Sequence, residues 1–183
     1  MDIIRQFLTS KNFWVSTARE FLFAIIFIAV IAGVLYAYSG AWPPLVSVSG
    51  LSMHPDMHDG DLILIQKLSP EQIQTYAEAE QTGYKTFNAY GDVLVYRPFG
   101  RSDMTPVIHR AMARVNTTDP MWQGSVPAPC EGFVTKGDNN YLYDQASGIC
   151  PNTPVQDEWV LGVARFSIPY LGYVRSLIGI FGL

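Results

Sequence analysis

The chain has 183 residues, 49% of them apolar and 15% charged, with a mean hydropathy of +0.13 and a formal net charge of −4. That apolar content excludes a disordered chain, and 12 Lys+Arg against 16 Asp+Glu leave no basic surface for nucleic acid. Two cysteines exclude a disulfide-rich miniprotein and a four-cysteine zinc module.

The first 20 residues carry Arg5, Lys11 and Arg19 against Asp2 and Glu20, and no charged residue follows until Asp56. Inside that gap, Phe21 to Tyr38 (FLFAIIFIAVIAGVLYAY) is 18 residues long without a strongly polar side chain. At ~1.5 Å per residue it spans about 27 Å, close to the ~30 Å hydrocarbon core of a bilayer. The core helix of a water-soluble domain would show a polar face, and this one has none. Ala37-Tyr38-Ser39 fits poorly as a signal cleavage site. The expectation is a cytoplasmic segment over residues 1–20 and a retained transmembrane helix over 21–40. Residues 41–183 carry 9 basic and 14 acidic residues. The basic N-terminus is therefore expected in the cytoplasm and the remainder outside, in a single-pass cell-membrane protein. Trp42-Pro43-Pro44 stops the helix.

From Leu45 to about Ile168 the apolar residues come in short β-prone runs: Leu62–Ile65, Gly91–Tyr96, Pro106–Ile108, Gly132–Val134 and Trp159–Val163. Gly, Pro, Asp and Asn bound them, as in an all-β domain. Gly60-Asp61 and Gly91-Asp92 each precede such a run. Ser69-Pro70-Glu71-Gln72 has the capping Ser, first-turn Pro and third-position Gln of a helix start. Residues 69–90 therefore read as a surface insertion with a short helix running to about Glu80, inside a domain over 41–169. The last segment, 170–183, is apolar with a single Arg. It is too short for a comfortable span, and the expectation is a membrane-associated segment.

Three places offer chemistry. Ser52 lies in Ser49-Gly-Leu-Ser-Met-His-Pro55, a turn able to lift a hydroxyl out of a sheet with its own N–H free for an oxyanion; the same composition also makes an ordinary turn. His109 ends Pro106-Val-Ile-His109, where an imidazole serves as a base or as a half-buried structural group. Thr135-Lys-Gly-Asp-Asn-Asn140 is a strong turn composition. In it Asp138 has nearby backbone N–H groups to satisfy, whereas Asp144 is free to orient an imidazole. Ser, His and Asp are the ingredients of acyl transfer. His54 and His58 lack companion ligands at metal spacing and read as surface residues, so no metal and no cofactor is expected.

Together, Ser-Gly-Leu-Ser52-Met-His-Pro, Gly91-Asp-Val-Leu-Val-Tyr96, Val-Ile-His109-Arg and Thr-Lys-Gly-Asp138-Asn-Asn with Asp144 resemble, in order and after a membrane helix, the boxes of type I signal peptidases. The resemblance covers roughly residues 21–175. It implies an antiparallel β catalytic domain behind one N-terminal transmembrane helix, and a serine endopeptidase acting on the signal peptides of exported pre-proteins at the lipid bilayer. His109 stands where bacterial members carry Lys, as in the archaeal and endoplasmic-reticulum branch. The resemblance thus implies Ser52 as nucleophile, His109 as base, Asp144 as the support of His109, and Asp138 as a second acidic position shaping the site. The residue two before Ser52 is Gly50, not the Ser of the eukaryotic-type pattern, which leaves the oxyanion to backbone N–H groups or Ser49. Leu51, Met53 and Met57 are expected to dip into the headgroup region. Cys130 and Cys150, 20 positions apart on the outer side, are expected to pair as a disulfide around the Gly-Asp-Asn-Asn turn. Two rival readings share these residues: a peptidase dedicated to pilin-like or conjugation proteins, and a membrane-anchored β-domain that binds without catalysis. Accessory subunits are not legible in the sequence.

Overall fold

The computed structural model describes residues 2–173. The chain divides into two compact units, Met1–Tyr38 and Ser39–Leu183.

The first unit is helical. Helix α1 is Asp2–Thr9 and helix α2 is Phe13–Ser39, 27 residues that end with the second unit's first residue. The Asn12 side chain accepts the Trp14 N–H at 3.0 Å and starts α2. The helix therefore begins eight residues before the apolar run. Ser16 Oγ donates to Glu20 one turn on at 3.3 Å, so polar residues extend the helix that the apolar ones continue. Large side chains from Phe21 to Tyr38 are exposed around the helix. At ~1.5 Å per residue α2 is about 40 Å long, long and apolar enough to cross a membrane.

The second unit is mainly antiparallel β. Strands β1 (Leu45–Ser47), β2 (Leu62–Gln66), β5 (Val93–Tyr96), β6 (Val107–Val115), β7 (Gly132–Lys136) and β8 (Val160–Ile168) form a six-stranded sheet in the order β1-β2-β8-β5-β6-β7. Every pairing in it is antiparallel. Strand side chains alternate between faces, and both faces are covered. Leu94, Tyr96, Ala111, Phe133 and Val163 pack on one, and Ile63, Ile65, Val93, Val95 and Ala164 on the other. That is why central β5 is buried at all four positions and reads as an unbroken apolar run.

The two Gly-Asp pairs supply buried carboxylates that tie the sheet to its loops. Asp92 accepts from the Gln74 N–H (2.9 Å), the Tyr84 hydroxyl (2.9 Å) and Arg165 Nη1 (3.0 Å). Asp61 accepts from the His58 N–H (2.9 Å) and the Ser167 hydroxyl (3.1 Å). Gly91 has φ +82 and passes so close to helix α3 (Tyr76–Thr82) that a Cβ would sit 2.6 Å from Tyr76 N.

Within residues 69–90 the helix starts later than expected. Ser69 caps only a 3-10 turn, Pro70–Gln72, because Ile73 then turns into the core. α3 begins at Tyr76, capped by Thr75, whose backbone N–H and hydroxyl both donate to Glu78. A small hairpin, β3 (Lys85–Thr86) and β4 (Ala89–Tyr90), completes the segment. Of the apolar C-terminal segment, 174–183 lie outside the described residues. Residues 170–173 turn back onto the 58–61 loop, with the Gly172 N–H on the Gly60 carbonyl (2.8 Å) and the Tyr173 hydroxyl on Asp59 (3.2 Å).

Candidate active site

Ser52 sits on the loop joining β1 to β2. Val48 N–H to Asp61 O (2.8 Å) and Gly60 N–H to Val48 O (3.1 Å) close the neck of this loop. Met53 and Met57 anchor it from within, being 2% and 0% exposed in the cluster with Ile63 and Val93. They are core residues, not headgroup contacts, because unbranched thioethers fill the irregular space beneath a tight loop. Leu51 alone of the three is exposed.

His109 projects from β6 opposite Leu94, and Asp144 lies in the turn after β7, where its N–H bonds the Thr135 carbonyl at 2.9 Å. Both side chains are buried. His109 Nε2 is 2.9 Å from Ser52 Oγ, and His109 Nδ1 is 2.8 and 2.7 Å from the two Asp144 oxygens. Residues 52, 109 and 144 thus form one continuous hydrogen-bonded chain.

Burial pushes the Asp144 carboxyl up. The His109 hydrogen bond and charge, with hydroxyls donated by Thr135 (2.6 Å) and Tyr96 (2.7 Å), outweigh burial and hold it below the ordinary carboxylate value. An ionised carboxylate only accepts, so Nδ1 carries the imidazole proton and Nε2 is left to accept from the Ser52 hydroxyl. Tyr96 in turn is pushed far up by its own burial and by Asp144, which keeps it a donor.

Asp138 is placed differently. Its two oxygens take Arg110 Nε (2.7 Å) and Nη2 (2.6 Å) in a two-pronged pair. Arg110 is 1% exposed and also donates through Nη1 to the carbonyls of Gly91 (2.8 Å), Thr86 (3.1 Å) and Tyr90 (3.2 Å). As the residue after His109 on a strand, it points to the opposite face. This pair fixes the 137–140 turn, which clamps the serine loop. The Asn139 N–H donates to the Ser52 carbonyl at 2.8 Å and its Nδ2 to the Leu51 carbonyl at 3.1 Å. Gly137 lies against the Ser52 carbonyl, whose oxygen is 2.7 Å from where a Cβ would be. Replacing Arg110 by Met leaves Asp138 and several carbonyls unpaired, and the expected loss is about 3–5 kcal/mol of stability. Urea unfolding measures it, and an unchanged midpoint would contradict this role.

Sequence reasoning missed Arg110, Asn139, Tyr96 and Thr135 as parts of this framework. The one available signal was a charged residue inside the apolar run of β6, which has to be paired if buried.

Ser52, His109 and Met53 line a cleft of about 380 Å³ together with Ser49, Val107 and Ile108. In the strand order β1 is an edge strand, paired with β2. Among the described residues the Ser52 N–H makes no hydrogen bond. It is the backbone donor available to an oxyanion beside the hydroxyl. His54 and His58 lie edge to face, ring centres 4.5 Å apart, with His58 Nδ1 4.0 Å from Asp61.

The expected Cys130–Cys150 bridge is absent. Both are free thiols. Cys150 is fully buried in the core beside Phe133, and burial pushes its thiol up to about 11, whereas half-buried Cys130 accepts from Gln156 Nε2 at 3.2 Å. In the folded protein, without reductant, alkylation is expected to modify Cys130 alone, with Cys150 reacting only after unfolding. Mass mapping reads this directly, and two thiols unreactive until reduced would contradict it.

No family model matches the chain. Among curated proteins it is 28% identical over 144 residues to the signal peptidase complex catalytic subunit SEC11C of Homo sapiens and of Mus musculus, covering 79% of this chain and 62% of each relative. It is 26% identical over 144 residues to the signal peptidase complex catalytic subunit SEC11 of Plasmodium falciparum (isolate 3D7), covering 79% of this chain and 63% of that one. The chain thus spans less than two thirds of the length of these relatives.

Proposed function

We propose that the chain is a membrane-bound serine endopeptidase of the Ser-His-Asp type that removes N-terminal signal peptides from exported pre-proteins. The observation that carries this is the hydrogen-bonded chain from Ser52 Oγ through His109 to Asp144. In the proposed reaction Ser52 Oγ attacks the scissile carbonyl while His109 Nε2 takes its proton. The carbonyl electron pair becomes an oxyanion facing the Ser52 N–H, a kind of donor whose loss costs ~10²–10³ in rate. Collapse of this intermediate breaks the C–N bond, and the departing amine takes the proton from His109. The mature protein leaves with a new N-terminus, and the signal peptide remains as an ester on Ser52. Water, deprotonated by His109, then attacks the ester and releases the signal peptide's new carboxyl end. Asp144 stabilises the imidazolium in both halves. Asp138 acts through Arg110 and the turn beneath Ser52, and touches no reacting atom.

The substrate lies extended in the cleft between residues 47–49 and 105–108. α2 anchors the chain in the bilayer with residues 1–20 on the cytoplasmic side, which sets the catalytic unit on the side where signal peptides emerge. This is the arrangement of the archaeal and endoplasmic-reticulum branch, with His in the base position.

The test is cleavage of several unrelated pre-proteins by the purified full chain in detergent, with the product N-termini sequenced. Cuts at signal junctions of unrelated substrates support the reading. Processing of one pilin-like substrate alone would assign a dedicated maturation peptidase, and no processing of any would overturn it.

A further inference from the structure

Three neighbouring strands aim side chains at one carboxylate. Cross-strand partners share a face of the sheet, as do residues two apart on a strand. Leu94 pairs with His109 and Tyr96 with Val107, so Tyr96 of β5 lies on the face that carries His109 of β6. Thr135 of β7 pairs with Ala111, which puts it on that face too. Asp144 Oδ2 accepts from the Thr135 hydroxyl (2.6 Å), the Tyr96 hydroxyl (2.7 Å) and His109 Nδ1 (2.7 Å). Tyr96, Thr135 and Asp144 are each 0% exposed.

Holding the His109 tautomer needs only the contact between Asp144 and Nδ1. The Tyr96 hydroxyl is a further donor, at a position where Phe would fill the same space. A buried hydroxyl without a partner costs free energy, and this one finds the carboxylate. The other groups facing the unit are Ser52 beyond His109, Gln145 bonded to Thr135, and the Cys150 thiol, held protonated by burial. Arg110 lies on the opposite face with Asp138. Among the described residues, His109 is the one ion-pair partner of Asp144. When His109 gives up its proton, the His109–Asp144 pair passes from net neutral to a single negative charge. A donated hydroxyl stabilises that carboxylate, and more so once no imidazolium draws on its charge. The Tyr96 hydroxyl therefore favours the proton-free pair, the form in which Nε2 accepts from Ser52.

We propose that Tyr96 is a positioning residue which, by donating its hydroxyl to Asp144 Oδ2, lowers the pH at which His109 becomes available as a base. This rests on the peptidase reading above and deepens it.

The experiment follows kcat/KM for one pre-protein across about pH 4–9, with the full chain in detergent. In Tyr96→Phe the acidic limb is expected to move up by about one pH unit, so that below the limb the variant loses about tenfold more than on the plateau. A merely structural loss scales the whole profile down without moving its midpoint. A limb that stays in place or moves down would overturn the proposal. Should Tyr96→Phe fail to fold, 3-fluorotyrosine in place of Tyr96 gives the opposite test. Its more acidic phenol is a stronger donor, so the limb is expected to move down, and a limb that does not would overturn the proposal. NMR of the full chain with labelled histidine reads the imidazole midpoint directly, the His109 signal being the one lost in His109→Gln. Cleavage at signal junctions with the same midpoint in wild type and Tyr96→Phe defeats the Tyr96 proposal alone. An upward move of the midpoint in Tyr96→Phe, in a protein that cleaves no pre-protein, supports the role of Tyr96 and defeats the peptidase reading alone.

Discussion

Ser52→Ala is expected to lower kcat/KM for pre-protein cleavage by about 10⁶-fold, with the unfolding midpoint within about 0.5 kcal/mol of wild type. The two effects separate because, among the described residues, the hydroxyl makes one side-chain hydrogen bond, to His109. The loop is held by other groups: buried Met53 and Met57, and the Asn139 N–H on the Ser52 carbonyl. His109→Ala is expected to cost nearly as much in rate, and the double variant little more than either single one, since nucleophile and base act as a unit. Cleavage rates in detergent and urea unfolding of the same preparations check both parts. Additive losses would mean that the two side chains act separately.

Asp144→Asn is expected to lower kcat by about 10⁴-fold. An amide presents its NH₂ to Nδ1, which moves the imidazole proton to Nε2, and a protonated Nε2 cannot accept the serine proton. The hydroxyls of Tyr96 and Thr135 both donate to the same Asp144 oxygen, Oδ2, and a neutral amide oxygen there is a weaker acceptor than a carboxylate, so some stability is lost as well. The pH dependence follows from the Asp144 carboxyl being held below its ordinary value. That contribution is fully present above the unfolded value of about 4 and is lost as pH falls through the folded value. The stability gap between wild type and Asp144→Asn is therefore wide at pH 7 and narrows below about pH 4. Urea midpoints across pH 3–7 measure it, and a constant gap would contradict the assignment of an ionised Asp144.

The mainly β architecture was legible because short β-branched runs between Gly, Pro and Asp leave few alternatives. Val93–Tyr96, apolar at every position, had to be covered on both faces. The three members of the hydrogen-bonded chain were legible as motifs, each at the end of a strand or in a turn. The pairing of Asp138 with Arg110 was not, because it depends on where Arg110 points, and strand parity sends Arg110 to the face opposite His109. Met53 and Met57 were misread for a related reason. Beside an exposed Leu51 they look like a membrane-facing cluster, yet the backbone turns between them and buries both. The expected disulfide failed because spacing and side of the membrane do not show depth, and Cys150 is packed against Phe133 and Val155 inside the core. The start of α3 moved six residues because Ile73 is worth more buried than the Ser69 cap is worth extended.

The central claim is that Ser52 is a hydroxyl made nucleophilic by His109. Acylation by a serine-directed electrophile, followed by peptide mapping, addresses it most directly. The account predicts a single adduct on Ser52 that does not form in His109→Ala. An adduct on another residue, or one on Ser52 that forms equally fast without His109, would contradict it.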